Sequence, residues 1–249
     1  MALRTSFRDH RGRWLVGAAV VVVVLIVGAI GIIKLIQGKG DPELTLNDAP
    51  TVPAQADSST TAPSGGSTST VASSSDGIAG TWKIASGSQV GYRVKETLFG
   101  QSTTATGRTT SVTGNLTIDG TAVTNASFTV QMADVTSDRS QRDGQFRGRI
   151  MEVDQFPTAT FELTSPITLP SVPAIGTEVH EKATGKLTLH GTTKTVTFTV
   201  NARRVSGGIQ VQGQIPVTFA DYNIDNPSGG PASVGNDGTL EFALSFSRA

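Results

Sequence analysis

The chain has 249 residues, in which 20 Lys and Arg balance 20 Asp and Glu. That balance disfavours nucleic acid as a partner, which would call for a basic stripe with interleaved aromatics. Cysteine is absent, so a disulfide framework, a thiolate nucleophile and a Cys-ligated zinc site are excluded.

Residues 1–13 form a basic N-terminus with Arg4, Arg8, Arg11 and Arg13. From Trp14 to Ile33 the run WLVGAAVVVVVLIVGAIGII carries no charge, long enough to cross a hydrocarbon core of ~30 Å as a helix. The arginines before it place residues 1–13 in the cytoplasm and the chain beyond Lys39 outside. A transmembrane signal-anchor helix is therefore expected over 14–36, making this a single-pass cell membrane protein with an extracytoplasmic domain. A cleaved signal peptide would have a shorter apolar region of ~7 to 15 residues and a small-residue cleavage site, whereas Lys34–Gly40 reads KLIQGKG.

Residues 37–80 are rich in Ser, Thr, Pro, Ala and Gly and nearly free of aromatics. Such a composition cannot bury enough apolar surface to offset its ordering entropy, and a disordered linker is expected. Over 81–249 the pattern changes to period two, the signature of strands with one buried face. Val90, Tyr92 and Val94 alternate with polar neighbours, as do Leu116 and Ile118, then Phe128, Val130 and Met132.

The stretch DRSQRDGQFRGRIMEVDQFPTATF, Asp138 to Phe161, interrupts this pattern with eight charges. Phe146, Ile150 and Val153 fall on one helical stripe. Asp138 with Gln141 has the form of a capping box, and Asp138–Arg142 and Asp143–Arg147 are i to i+4 pairs with the acid first, the favourable order. One short helix is predicted here, ended by Pro157. Its charges need no catalytic explanation.

Strands then resume. Leu187 and Leu189 lead through the turn HGTTK to Val196, Phe198 and Val200, a hairpin with Thr195, Thr197 and Thr199 on the wet side. Ile209, Val211, Gly213, Ile215, Val217 and Phe219 share one face, and Leu240, Phe242, Leu244 and Phe246 close the chain. Antiparallel strands with almost no helix make an all-β sandwich or barrel, and the domain's length suits a barrel of about eight strands. The interior of such a barrel either fills with side chains or holds one ligand. Large inward residues mixed with small ones such as Gly213 leave both options open.

No catalytic site stands out. By strand parity His180 and His190 both point outward, and two histidines are too few for a zinc site. There is no nucleophile elbow, zinc-protease helix or phosphate loop. Arg142 and Asp143 read more readily as a structural pair than as anion anchor and base. No enzyme, cofactor or metal is expected.

Two motifs resemble the YceI-like family. The first runs Arg142-Asp143, Phe146, Ile150-Met151, Phe156-Pro157 and Phe161; the second is GKLTLHGTTKTV, Gly185 to Val196. The resemblance extends from about Trp82 to the C-terminus and implies a lipocalin-like barrel around a polyisoprenoid or other long-chain lipid. It implies a lining of Tyr92, Val94, Phe128, Val130, Met132, Phe161, Phe198, Val211, Val217, Phe219 and Phe242, with Phe146, Ile150 and Met151 in a lid. Arg142, Asp143 and Pro157 take structural roles. Family members often carry His where this chain has Lys95 and Gln145, and aromatics where it has Ile150-Met151, so the mouth and polar end of the pocket depart from the family pattern. The partners expected are the lipid ligand and, through the N-terminal helix, the membrane; a homodimer is left open. The competing expectation is a surface protein-interaction module whose barrel is packed solid.

Overall fold

Alternating apolar residues, each turning every second side chain inward, build the walls of the molecule. The computed structural model describes residues 40–53, 77–230 and 232–249. The strands are β1 (Gly80–Ile84), β2 (Gln89–Leu98), β3 (Gln101–Thr109), β4 (Val112–Asp119), β5 (Ala122–Gln131), β6 (Thr136–Ser137), β7 (Thr158–Leu163), β8 (Ile167–Thr168), β9 (Glu178–Leu189), β10 (Thr192–Val205), β11 (Gly208–Thr218), β12 (Ala232–Val234) and β13 (Asp237–Arg248). Among the described residues there is one short α-helix, α1 (Ser140–Gln145), between β6 and β7.

Neighbouring strands run antiparallel, in the order β1, β4, β5, β7, β9, β10, β11, β13, and β13 pairs back onto β1. The ring therefore closes at eight strands, as the sequence predicts, and closure removes the free edges that would otherwise invite aggregation. β13 forks the wall. One edge pairs with β11 from Asp237 to Phe246, while the other pairs with β2 over Thr239–Ala243 and with β1 over Phe246–Arg248. From this fork β2, β3 and β6 extend the wall at one end.

The inward set forms one continuous core that includes Trp82, Leu116, Phe161, Leu187, Ile215, Phe242 and Leu244. Between β9 and β10 the chain reverses at His190 and Gly191, with φ of 48° and 69°, the left-handed pair that a tight hairpin requires. At such a turn strand parity no longer governs direction. His190 is buried rather than pointing outward: its Nδ1 lies 3.2 Å from the Tyr222 carbonyl and its Nε2 3.0 Å from Glu152. His180, by contrast, is exposed and contacts Asn201.

The transmembrane helix expected over 14–36 and the basic segment 1–13 lie outside the described residues. Among the described residues no helix is long and apolar enough to cross a membrane. The linker expected over 37–80 needs a correction where it is described, because residues 40–53 pack on the outer surface of β11 and β13. Leu44 and Ala49 cluster with Ala243, and Leu44 is 2% exposed. The Leu44 N–H donates to Glu241 at 3.1 Å, and its carbonyl accepts from Gln212 at 3.0 Å. Gln210 donates to the Ala49 carbonyl at 3.0 Å, and the Ser245 hydroxyl donates to the Pro50 carbonyl. Average composition misses this, because two or three apolar residues and a row of side-chain partners suffice to hold a strap.

Candidate functional site

The site is the bore of the barrel, and it begins at α1. Its N-terminus does not form the predicted capping box; Arg139 occupies the cap position and makes no side-chain cap. Asp143 instead reaches back, accepting from the Ser137 N–H at 2.8 Å and the Ser137 hydroxyl at 2.6 Å. Arg142 pairs with Asp138 one turn earlier and with Glu96 of β2 at 3.0 Å. Arg142 and Asp143 each fasten the helix to a different strand, Arg142 to β2 and Asp143 to β6. The predicted Asp143–Arg147 pair is absent; Arg147 donates to the Val135 carbonyl at 3.5 Å.

After Gln145 the helix widens. Over Phe146–Ile150 it makes a π turn, closed by the Met151 N–H donating to the Phe146 carbonyl at 2.9 Å. Such turns re-aim side chains and recur at functional sites. Here the turn directs Phe146 onto Tyr92, with ring centroids 5.2 Å apart and planes at 12°. The far end of this lid is pinned by Glu152 on His190 and by Phe156, whose ring meets the His190 ring edge-on at 4.5 Å.

Beneath the lid lies a cavity of about 330 Å³. Tyr92 and Val94 of β2, Phe128 and Val130 of β5, and Met132 form one side. Val217, Phe219 and Phe242 also line the cavity, as do Phe146, Ile150 and Met151 of the lid. Polar groups gather at one end, where Glu96, Arg139, Gln141, Arg142 and Gln145 border the opening. Burial pushes the Tyr92 phenol up to about 12; the Arg142 guanidinium opposes this, and the Asp143 and Glu96 carboxylates add to it. The phenol is therefore neutral throughout the physiological range.

A second cavity, of about 130 Å³, lies toward Ile78, Pro173 and Arg204. Phe161, Phe198 and Val211 line it, and it shares Phe128 and Phe242 with the first. Every residue predicted to face a ligand borders one of these two spaces. Of the three given structural roles, Arg142 borders the upper one and Asp143 and Pro157 border neither. Sequence reasoning left out Ala105, Leu187, Leu189, Ile215 and Leu240 as lining, although period two marks the last four as inward. It also left out the polar rim, whose members come from α1 and β2 and are brought together only by the fold.

Of the two options left open at Gly213, the structure takes the filled one. A Cβ at that position would lie 2.5 Å from the Phe242 ring, so the glycine makes room for the phenylalanine across the strand pair, not for a ligand. Among the described residues no group of three or more His, Cys, Asp or Glu converges to hold a metal, and no nucleophile–base pair faces either cavity. What the arrangement offers is apolar volume with a polar rim.

A family model described as the YceI-like domain matches residues 82–246. Among solved structures, a polyisoprenoid binding domain from Saccharophagus degradans implicated in plant cell wall breakdown is 19% identical. It aligns with a TM-score of 0.56 over 68% of this chain and 98% of that one. BcnA from Burkholderia cenocepacia is also 19% identical, with a TM-score of 0.50 over 64% of this chain and 95% of its own. At these identities the likeness shows a shared fold. No curated protein matches the chain.

Proposed function

The chain belongs to the YceI-like family, and from that premise we propose that its barrel binds a polyisoprenoid or other long-chain lipid as a carrier or sequestering protein. The observation that carries this reading is the hollow, apolar bore under a lid: about 330 Å³ bordered by side chains such as Val130, Ile215, Val217 and Phe219. A barrel serving only as a surface module would fill that space, because protein interiors pack to crystal-like density. The relative from Saccharophagus degradans is itself a polyisoprenoid binding domain, which favours the same ligand class here.

The energetics are sufficient. Burying ~500 Å² of apolar ligand surface at ~25 cal/mol per Å² contributes on the order of 12 kcal/mol before losses. Lost ligand freedom removes much of that, leaving roughly micromolar to nanomolar affinity. The polar rim suits a ligand whose chain enters the bore while a polar head stays at Arg139, Gln141 and Gln145. We place the barrel outside the cell membrane, held there by the anchor read from residues 14–36; the uncharged run from Trp14 to Ile33 and the arginines before it support this.

Native mass spectrometry of the full chain, purified from a lipid-containing host, tests the proposal. A co-purified long-chain molecule released on unfolding is expected. A clean apo mass, with no uptake of added prenols, would overturn it.

A further inference from the structure

The two cavities do not merge, and the reason is a layer of four aromatic rings. Phe128 of β5, Phe161 of β7, Phe198 of β10 and Phe242 of β13 meet in a closed circuit. Ring centroids lie 5.3 Å apart for Phe128–Phe161, 5.4 Å for Phe161–Phe198, 5.9 Å for Phe198–Phe242 and 5.7 Å for Phe242–Phe128. One contact is stacked, two are edge-on and one is tilted; offset stacking and edge-on contact are the arrangements that the ring quadrupole favours.

Small residues on neighbouring strands seat the rings. A Cβ on Gly213 would lie 2.5 Å from the Phe242 ring, and one on Gly185 2.4 Å from the Phe161 ring. Ala183 stands opposite Phe198 in the register of β9 and β10. Any larger side chain at these positions would push the rings out of place. The layer is thus built by seven residues on six strands, not left by chance packing.

We propose that this phenylalanine layer is a partition that sets how much of a ligand chain the barrel accepts. The inference rests on the proposed lipid-binding function and adds to it the residues that determine chain length. Phe161, Phe198 and Phe242 are buried. Phe128 remains only partly so, and like Phe242 it borders both spaces. It is the most exposed of the four rings, and the point at which the partition opens most readily. A chain entering under the lid gains apolar contact with each added unit until it reaches the layer; beyond that, further units stay outside the upper chamber and add little.

The test uses the full chain in phosphatidylcholine vesicles, offered geraniol, farnesol, geranylgeraniol and longer all-trans prenols in competition, with the bound species identified by native mass spectrometry. In the wild type, affinity rises with length and then levels off. Phe128→Ala joins the chambers and moves the levelling point to a longer prenol, with about a tenfold gain for the first prenol beyond the old limit, given the strong dependence of binding on each buried methylene. Adding Ala202→Leu, which fills the lower chamber from outside the ring layer, cancels that gain in the Phe128→Ala background. On its own it leaves the wild-type limit unmoved. Should Phe128→Ala fail to fold, Phe128→Leu keeps the core filled and shows a smaller shift in the same direction.

An unchanged limit in the Phe128 variants overturns the partition while leaving the lipid-binding function standing. A wild-type limit already shortened by Ala202→Leu overturns it too, since the chain would then pass the rings unaided. Failure of every prenol to bind at any length overturns both.

Discussion

The two faces of β13 carry opposite chemistry at equal burial. Phe242, Leu244 and Phe246 point into the barrel, and Glu241, Ala243 and Ser245 point out of it. Yet Glu241, Ala243 and Ser245 are 0% exposed, more deeply covered than their inward neighbours. The inner face is buried by the barrel itself and remains apolar. The strap of residues 40–53 buries the outer face and meets it with hydrogen bonds. Alternation along a strand therefore reports which side faces the core, but not whether the other side is wet.

The largest effects separate these faces. Glu241 is paired with Arg108 at 2.8 Å and accepts from the strap at Leu44. Glu241→Ala strands the guanidinium beneath the strap and is expected to cost about 3 to 5 kcal/mol, the cost of breaking a buried pair. Phe242→Ala, one residue on, is expected to cost about as much through the cavity it leaves. Urea denaturation measures both, and only the Phe242 variant should also alter prenol preference. A matching change in prenol preference from Glu241→Ala would erase the distinction between the faces.

Leu44→Ala tests the strap by itself. Removing its buried side chain should cost about 2 to 3 kcal/mol and raise hydrogen exchange in residues 40–53, while the ladder of β9 and β10 stays protected. Exchange that rose equally everywhere would mean that the strap and barrel unfold as one unit.

Alkaline pH probes the inner face. Burial raises the phenols of Tyr92, to about 12, and of Tyr222. In the unfolded chain a tyrosine loses its proton near 10, so the unfolded state binds fewer protons between about 10 and 12 and stability falls with rising pH across that window. For Tyr92 the loss amounts to about 2 to 3 kcal/mol at its end. Urea midpoints measured across this range check the slope, and Tyr92→Phe should flatten it.

The smallest change expected is at the lid. Asp143→Asn weakens two hydrogen bonds to Ser137 and should cost about 1 to 2 kcal/mol with prenol binding unchanged, since Asp143 borders neither cavity. Unchanged thermal stability would contradict its structural role.

Much of this molecule is legible in its sequence, for reasons that also mark the limits. Period two identifies Phe128, Phe198, Phe242 and Ile215 as inward because one face of each strand meets the core. The motif around Arg142 and Phe146 locates the lid. Parity fails at His190, where a left-handed turn redirects the side chain, and composition fails at Leu44, whose partners Gln212 and Glu241 lie far along the chain. The Asp138 cap fails because its carboxylate pairs with Arg142 and Arg139 instead, and the helix starts one residue later, with Arg139 at the cap. The partition is hidden for a similar reason: its four rings come from four strands, and only closure of the barrel brings them together.

The central claim is that the apolar bore, not the surface, holds the ligand. The most direct measurement is isotope-edited NMR of the methyl-labelled chain with farnesol, reading contacts between the prenyl methyls and the protein. The account predicts contacts to Leu187, Leu189, Ile215 and Val217, which border the upper chamber. Contacts confined to the exposed Phe99, Val172 and Ile175, with the interior methyls unmoved, would contradict it.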